Sequence, residues 1–420
     1  MNEKNVKKNK SLSFSVLCKA FDWGPANNQI VIDFGHTIDV QVDNSYFELS
    51  AKKKVFDWKT ETESIVEKYI SIKRAFLSSS TGQAIDAHKS TSFITLDLTV
   101  HPDCQFTSPF HFEPKYFLNQ KRQVEYSIQI KRPLIIEGKD LNHTVITNDC
   151  FHETVFEGIS KFSKNHFEYQ DLNFGSIILN YALFSPNAEG KIPLIILLHG
   201  AGEGGTDLDV ALLGNKVIAL TESKIQDIFG GFYLLVPQAP DMWMNDGSNA
   251  YTLDGEIKYT NALISLIDHV VKTNTNIDSE RIYIGGGSNG GFMTINLLLR
   301  KPNFFAAAFP ICQAYKTNWI DGEDLATLMN VPLWMVHGVN DTVVPCTQHS
   351  QSLYFLLQQS SHSNLYLTLL NQITDQTGYY KDESGQPYRY DDHWAWIPVY
   401  NNEIVCESQS LFKWLANQRK

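Results

Sequence analysis

The stretch RIYIGGGSNGGFMTINLLLRK, residues 281–301, decides the fold of the C-terminal part of this chain. Its opening RIYI is typical of a buried strand, and FMTINLLLR has the composition of a helix. Between them, Gly286 and Gly290 stand two residues before and two residues after Ser288. Glycines permit a sharp turn without Cβ clashes, and the helix N-terminus that follows favours developing negative charge. Because no lysine follows as in a phosphate loop, the stretch predicts a nucleophile elbow that raises Ser288 Oγ above a sheet.

The sequence around this stretch alternates between apolar strands and helices. Such alternation predicts a mostly parallel sheet covered by helices on both faces, the α/β class. We expect the α/β domain to occupy residues 166–420. Its predicted strands include residues 177–184, 193–200, 231–238, 281–286 and 332–338, and its predicted helices include residues 255–274, 289–301 and 346–360.

The sequence before residue 166 has the patterns of strands and turns instead. Period-two alternation and β-branched residues predict several short strands, which indicates an antiparallel sandwich of immunoglobulin-like size. We therefore predict an all-β immunoglobulin-like domain over residues 1–165, with a structural rather than chemical role. The predicted strands are residues 29–34, 39–43, 69–77, 92–100 and 124–132.

Composition and charge exclude several classes of function. The 420 residues carry a net charge of −11, which repels nucleic acid, and no apolar run approaches the roughly 20 residues that span a bilayer. The basic N-terminus has no sustained apolar segment of a signal peptide, so we expect a cytoplasmic protein, with secretion by another route left open. The six cysteines are scattered without a C-x-x-C pair, which predicts free thiols and neither a disulfide framework nor a metal site.

A serine nucleophile needs a base and an orienting carboxylate, in the chain order serine, acid, histidine. His393 lies in the loop after the last predicted strand, whereas His349 lies in a predicted helix and His362 in a polar turn. Asp341 follows the strand PLWMVHG, where the acid is expected. We therefore predict Ser288, Asp341 and His393 as the triad. Asp391 and Asp392 lie too close to His393 to be the obvious acid, but they are not excluded.

The remaining predicted site residues lie in the loops that flank the serine. An oxyanion hole needs two backbone N–H groups. One is expected from Asn289, and the other from Gly200 or Ala201 in the glycine-rich loop after PLIILL.

Two tryptophans at strand-end loops, Trp243 and Trp394, are predicted to form walls of a narrow substrate pocket. His199 and His337 each end a buried strand, and we interpret both as structural.

With these motifs in place, the chain resembles the esterase and predicted-peptidase branch of the α/β-hydrolases, near the prolyl-oligopeptidase-like and polyhydroxybutyrate-depolymerase-like enzymes. The N-terminal half, which opens with FDWGPANNQIVIDF, resembles the immunoglobulin-like domain found in a subset of that family. The resemblance implies hydrolysis of short acyl or aryl carboxylic esters without a cofactor. The matching segments are YALFSP, PLIILLHGAGEGGTD, LLVPQAP, IYIGGGSNGG, PLWMVHGVNDTVVP and DDHWAW.

These features favour a serine carboxylesterase that acts on a small-molecule ester through an acyl-enzyme. A serine peptidase of the prolyl-oligopeptidase-like type is the main alternative, because the same groups cleave amides. A noncatalytic binding protein on a hydrolase scaffold is the alternative of a different class, and the intact serine, aspartate and histidine set argues against it. A homo-oligomer is possible.

Overall fold

A computed structural model describes residues 12–57, 60–86, 89–159 and 167–420 of the chain. Its residues group into two units. One contains Met1–His111 and Lys121–Ser160, and the other contains Phe112–Gln120 and Lys161–Lys420. The domain boundary expected at residues 165/166 lies outside the described residues. The segment of residues 112–120 belongs to the C-terminal unit although it lies in the N-terminal half of the sequence.

The N-terminal unit is a β-sandwich of a five-stranded and a four-stranded sheet. The strand orders are β13-β1-β2-β6-β5 and β12-β9-β3-β4. Alternate residues such as Ile30, Ile32 and Leu49 are fully buried in one core, which explains the period-two pattern. The predicted all-β immunoglobulin-like class is confirmed. The strands up to residue 156 are β1 (Ser13–Phe21), β2 (Gly24–Asp33), β3 (Phe47–Asp57), β4 (Thr62–Tyr69), β5 (Ile72–Ser78), β6 (Phe93–Leu98), β7 (Phe110–Glu113), β8 (Leu118–Lys121), β9 (Glu125–Ile130), β10 (Ile135–Ile136), β11 (Lys139–Asp140), β12 (Val145–Ile146) and β13 (Phe151–Phe156).

The C-terminal unit is built on an eight-stranded sheet in the order β14-β15-β17-β16-β18-β19-β20-β21. The strands from β17 to β21 run parallel to one another, and β15 is antiparallel to both of its neighbours. The strands are β14 (Phe167–Phe174), β15 (Ile177–Phe184), β16 (Ile192–Leu198), β17 (Tyr233–Gln238), β18 (Ile277–Gly287), β19 (Ala307–Ile311), β20 (Leu333–Gly338), β21 (Leu365–Leu370), β22 (Ile373–Thr374), β23 (Arg389–Tyr390), β24 (Val405–Cys406) and β25 (Gln409–Ser410).

Eight α-helices accompany this sheet in the described part of the C-terminal unit. The central strands β16, β19 and β20 are buried along their whole length, and β17 is buried after its first residue, as a sheet covered on both faces requires. The predicted α/β-hydrolase class is confirmed. The helices are α1 (Leu208–Leu213), α2 (Ser223–Phe229), α3 (Thr260–Thr273), α4 (Asn289–Arg300), α5 (Gly322–Leu328), α6 (Ser350–Gln359), α7 (Trp396–Tyr400) and α8 (Leu411–Ala416).

The parallel strands bring the predicted site residues to one edge of the sheet. Ser288 directly follows β18, and Asp341 comes three residues after β20. The loop of Gly200 and Ala201 follows β16, and His393 lies in the long segment after β21. Because the carboxyl ends of parallel strands share one edge, four separate loops can contribute to one site.

None of the helices in the described ranges is both long and apolar enough to cross a membrane.

Candidate active site

Ser288 occupies a strained turn between β18 and α4. Its backbone has φ 57° and ψ −114°, a conformation that costs a non-glycine residue on the order of 1–3 kcal/mol. The Ser288 N–H donates to the Ile311 carbonyl at 2.9 Å, which anchors the turn to β19. A Cβ on Gly286 would lie 2.5 Å from the Leu198 carbonyl oxygen, and one on Gly290 only 2.0 Å from it. The two glycines are therefore needed because β16 passes directly beside the turn.

Asp341 is a buried carboxylate that orients the imidazole of His393. Its Oδ2 atom accepts a hydrogen bond from His393 Nδ1 at 2.7 Å and lies 3.2 Å from His337 Nε2. Its Oδ1 atom accepts from the N–H groups of Val343 and Val344. Burial alone would raise the pKa of Asp341, but the hydrogen bonds with the two histidines hold this pKa well below its usual range. Asp341 is therefore ionised at neutral pH.

This hydrogen bond fixes the tautomer of His393. When Nδ1–H donates to Asp341, the Nε2 lone pair is free to accept a proton. Burial lowers the pKa of His393, but the neighbouring Cys312 and then Asp341 outweigh it and raise this pKa to about 10. Cys312 is fully buried directly after β19. Sequence reasoning missed its closeness to His393, which no local motif signals.

Ser288 and His393 lie at the same place on the sheet edge. The carbonyl that holds the Ser288 N–H belongs to Ile311, the residue before Cys312. A Cβ on Gly287 would lie 3.2 Å from the Trp396 ring. That ring lies edge-on to the His393 ring, with the two ring centroids 5.6 Å apart. Among the described contacts, Ser288 Oγ makes no hydrogen bond with the imidazole. Catalytic hydrogen bonds often tighten only when substrate binds, so the arrangement remains compatible with proton transfer.

Cys312, Asp341 and His393 also form a group of possible metal ligands. One ligand atom of each lies within 4.8 Å of the others, and a thiolate, an imidazole and a carboxylate are all zinc ligands. However, Asp341 Oδ2 and His393 Nδ1 are already joined by a hydrogen bond. This pairing is the one expected of a base and its orienting carboxylate.

The loop after β16 presents the second predicted oxyanion donor. The buried carboxyl of Glu203 lies beside Gly200, since a Cβ on Gly200 would lie 2.7 Å from Glu203 Oε2. No partner for the N–H of Gly200, Ala201 or Asn289 is found among the described hydrogen bonds, and Asn289 is the first residue of α4. The choice between Gly200 and Ala201 as the loop donor stays a prediction. Sequence reasoning missed Glu203, although an acidic residue inside the glycine-rich run GAGEGG was the available signal.

The other histidines have structural partners. His199 Nδ1 donates to the Gly200 carbonyl at 2.6 Å while Nε2 accepts from the Ala239 N–H, and burial lowers the pKa of His199 to about 4. His337 contacts Ser350 and the Val344 carbonyl.

The two histidines weighed against His393 are also engaged by nearby backbone. His349 Nδ1 lies 3.0 Å from the Pro345 carbonyl, and His362 Nε2 lies 3.0 Å from the Val331 carbonyl. Among the hydrogen bonds and ion pairs of the described residues, neither ring is paired with a carboxylate as His393 is.

The two predicted pocket tryptophans lie in different surroundings. Trp243 is completely buried, with its ring 4.8 Å from His199 and its backbone N–H bonded to Asn289 Oδ1 at 2.6 Å. It can therefore influence a pocket only through the oxyanion residues it supports. Trp394 is partly exposed and packs between Tyr390 and Trp396. Contact of either side chain with substrate stays a prediction.

Comparison with known families agrees with this geometry. The model of the esterase immunoglobulin-like N-terminal domain matches residues 13–139, and the phospholipase/carboxylesterase model matches residues 181–374. The chain is an α/β-hydrolase of the esterase branch. Because Ser288 stands in the elbow and the matching family model is that of carboxylesterases, this α/β-hydrolase is a serine ester hydrolase.

Solved structures resemble the α/β-hydrolase to different extents. A thermostable esterase is 23% identical with a TM-score of 0.74, and the match covers 97% of this chain and 100% of that one. This likeness supports the two-domain fold. Two further structures are too distant to support more. A ferulic acid esterase is 14% identical with a TM-score of 0.42, and the match covers 56% of this chain and 95% of that one. A poly(3-hydroxybutyrate) depolymerase from Bordetella parapertussis is 16% identical with a TM-score of 0.37, and the match covers 49% of this chain and 83% of that one. A search of curated proteins found no significant match.

Proposed function

We propose that the protein is a serine carboxylesterase that hydrolyses short acyl or aryl esters with the triad Ser288, His393 and Asp341. The observation that carries the proposal is the hydrogen bond between His393 Nδ1 and Asp341 Oδ2 at the sheet edge where Ser288 follows β18. An imidazole held in this tautomer is a base aimed away from its carboxylate, which is what a serine alcohol needs.

Acylation begins when Ser288 Oγ attacks the ester carbonyl carbon and its proton passes to His393 Nε2. The carbonyl oxygen becomes an oxyanion, which the N–H groups of Asn289 and Ala201 stabilise together with the N-terminus of α4. The tetrahedral intermediate collapses, the ester C–O bond breaks, and His393 returns its proton to the leaving alkoxide. Asp341 stabilises the imidazolium throughout.

Deacylation repeats these steps with water. His393 Nε2 takes a proton from water as its oxygen attacks the acyl carbon, and the second tetrahedral intermediate expels Ser288 Oγ. The proton then returns to the serine and the carboxylic acid leaves. The proposed chemistry needs water together with side chains and backbone groups of this chain.

A narrow pocket is the proposed basis of a preference for short acyl groups. Trp394 packs with Trp396 beside the base, and Trp396 also contacts the ring of His393. Rigid aromatic rings so close to the reacting atoms limit the volume available to an acyl chain.

The test is a panel of p-nitrophenyl esters from two to twelve carbons, assayed beside peptidyl anilides, with Ser288→Ala as the control. We expect the best kcat/KM with two to four carbons and little amide cleavage. Faster cleavage of anilides than of esters would instead support the peptidase, and a better rate with twelve carbons would contradict the narrow pocket.

We also propose a cytoplasmic location and leave open a homo-oligomer. All six cysteines are free thiols, as is usual in a reducing compartment. Fractionation of cells and size-exclusion chromatography with light scattering test the two points separately.

A further inference from the structure

Glu203 is a buried carboxyl at the centre of the oxyanion loop that the proposed mechanism does not use. Its side chain has two amide donors. Asn215 Nδ2 lies 3.2 Å from Oε2, and Asn119 Nδ2 lies 3.4 Å from Oε1. The Glu203 backbone carbonyl accepts from Gln238 Nε2 at 2.9 Å, which ties the loop to the end of β17. Glu203 is therefore fixed at both its backbone and its side chain.

Burial at this position is energetically unfavourable for the ionised carboxyl of Glu203. Burial raises the pKa of Glu203 to about 7, although its amide partners and the nearby His393 oppose this rise. The ion pairs of the described residues include none that joins Glu203 to a lysine or arginine. Since an apolar or amide side chain avoids the desolvation cost, stability alone does not explain a glutamate here.

The carboxyl lies against the backbone of the oxyanion loop. A Cβ on Gly200 would lie 2.7 Å from Glu203 Oε2, and one on Gly214 would lie 2.8 Å from Glu203 Cγ. Because Gly200 is the residue before Ala201, the position of the carboxyl bears directly on the backbone that carries the proposed donor.

The β7–β8 hairpin supports the same loop from the other end of the sequence. Residues 112–120 belong to the catalytic unit. A Cβ on Gly202 would lie 2.9 Å from Asn119 Nδ2, and one on Gly204 would lie 3.1 Å from Leu118 Cδ2. The hairpin thus packs directly against the glycines on both sides of Glu203.

We propose that Glu203, held by the side-chain amides of Asn119 and Asn215, is a positioning residue that fixes the loop of Gly200 and Ala201 and so aims the Ala201 N–H at the oxyanion. This inference rests on the proposed serine esterase mechanism. A donor that stabilises only the transition state changes kcat and leaves KM nearly constant. Loss of one oxyanion donor costs about 100- to 1000-fold in kcat, and a misaimed donor retains part of its effect.

The experiment compares the full-length variants Glu203→Ala, Glu203→Gln and Asn119→Ala with the wild type. Three quantities are measured. They are kcat and KM with p-nitrophenyl butyrate, and the rate at which a fluorophosphonate labels Ser288, since the phosphoryl oxygen of the probe needs the same donors. Glu222→Ala and Lys115→Ala are the controls, because Glu222 pairs with Lys224 and Lys115 lies at the exposed turn of the hairpin. Ser288→Ala shows that labelling is specific, and circular dichroism shows that each variant folds.

We expect Glu203→Ala to lower kcat and the labelling rate by roughly 10- to 100-fold at nearly constant KM. Glu203→Gln should restore most of both, because its amide oxygen can still accept from an asparagine side chain, and Asn119→Ala should cost a few fold. If glutamine is as slow as alanine, the charge of Glu203 matters rather than its position, and the inference fails. Wild-type kcat in both Glu203→Ala and Asn119→Ala would overturn it as well. A wild-type protein that is neither labelled nor active would instead overturn the proposed function.

Discussion

At the scale of single residues, Ser288 combines chemistry with backbone strain. A residue held at a positive φ by its surroundings costs stability that a glycine would not. We expect Ser288→Ala to lower turnover by several orders of magnitude, with a residual rate from binding and the oxyanion hole. We expect Ser288→Gly to be equally inactive but about 1–2 kcal/mol more stable than Ser288→Ala. Thermal unfolding of both variants checks this, and equal melting temperatures would mean that the turn is not strained.

The pH dependence of turnover reports on His393. The imidazole acts as a base only when neutral, so kcat/KM should rise with pH until it passes the pKa of His393, which lies above the ordinary value of 6.5. Because Cys312 is the larger of the neighbours that raise this pKa, we expect Cys312→Ala to move the acidic limb of the profile to lower pH. Cys406→Ala is the matched control, since that thiol lies in the β24–β25 hairpin. Profiles of both variants that coincide with the wild type would show that Cys312 has no effect on the base.

Glu203 predicts a pH-dependent stability. Its folded-state pKa of about 7 lies above the ordinary 4.5, so the folded state retains a proton that the unfolded state has lost. The stability linked to this proton is fully present below about pH 4.5 and is lost as pH rises through 7, and it amounts to about 3 kcal/mol. Relative to wild type, Glu203→Gln should therefore gain stability as pH rises over this interval. Urea unfolding at pH 5 and pH 8 checks the sign, and a constant difference would contradict the buried, proton-retaining carboxyl.

At the scale of secondary-structure elements, the elbow depends on how closely β16 approaches α4. A Cβ on Gly290 would lie 2.0 Å from the Leu198 carbonyl oxygen, and neither backbone can move without disturbing the sheet. We expect Gly290→Ala to lose at least several kcal/mol of stability, or not to fold. Gly322→Ala at the start of α5 is the matched control, because nothing lies within 4 Å of its added Cβ. Equal melting temperatures for the two variants would contradict the close packing of the elbow.

Local patterns made much of this architecture predictable. The elbow is specified by adjacent residues, because the strand, the two glycines and the helix are contiguous in sequence. The sequence pattern gave a wrong prediction where a loop shows the same alternation of buried and exposed residues as a strand. Residues 39–43 alternate as a strand does, yet Val40 and Val42 are half-buried in an irregular segment that packs on the sandwich core. The alternation records burial on one side, which a loop lying on a core also produces.

Two features of the site could not be predicted because they depend on contacts between distant segments. Cys312 approaches His393 across 81 positions of sequence, through the neighbouring ends of β19 and the last loop. Asn119 approaches Glu203 across 84 positions. No motif joins either pair, since each depends on where whole elements pack. By contrast, chain order alone selected Asp341 and His393, because the fold class restricts where an acid and a base can lie.

At the scale of the whole molecule, the catalytic unit is discontinuous in sequence. A fragment of residues 167–420 contains every predicted triad residue but lacks residues 112–120. We expect this fragment to be less stable than the full chain, and slower with p-nitrophenyl butyrate by at least the factor found for Asn119→Ala. Kinetics and thermal unfolding of the fragment and the full chain are the measurement. A folded fragment with unchanged kinetics would exclude any part of the hairpin in the function of the site.

The interleaving of the two units also constrains how a newly made chain can fold. During synthesis the hairpin emerges before β13, the strand that completes the five-stranded sheet by pairing with β1. Asn119 must then wait for 84 more residues before Glu203 exists to receive its hydrogen bond. Such late, non-local closure slows folding and leaves surfaces exposed on the ribosome. The catalytic unit is thus begun before the N-terminal unit is finished, so the two cannot be completed strictly one after the other.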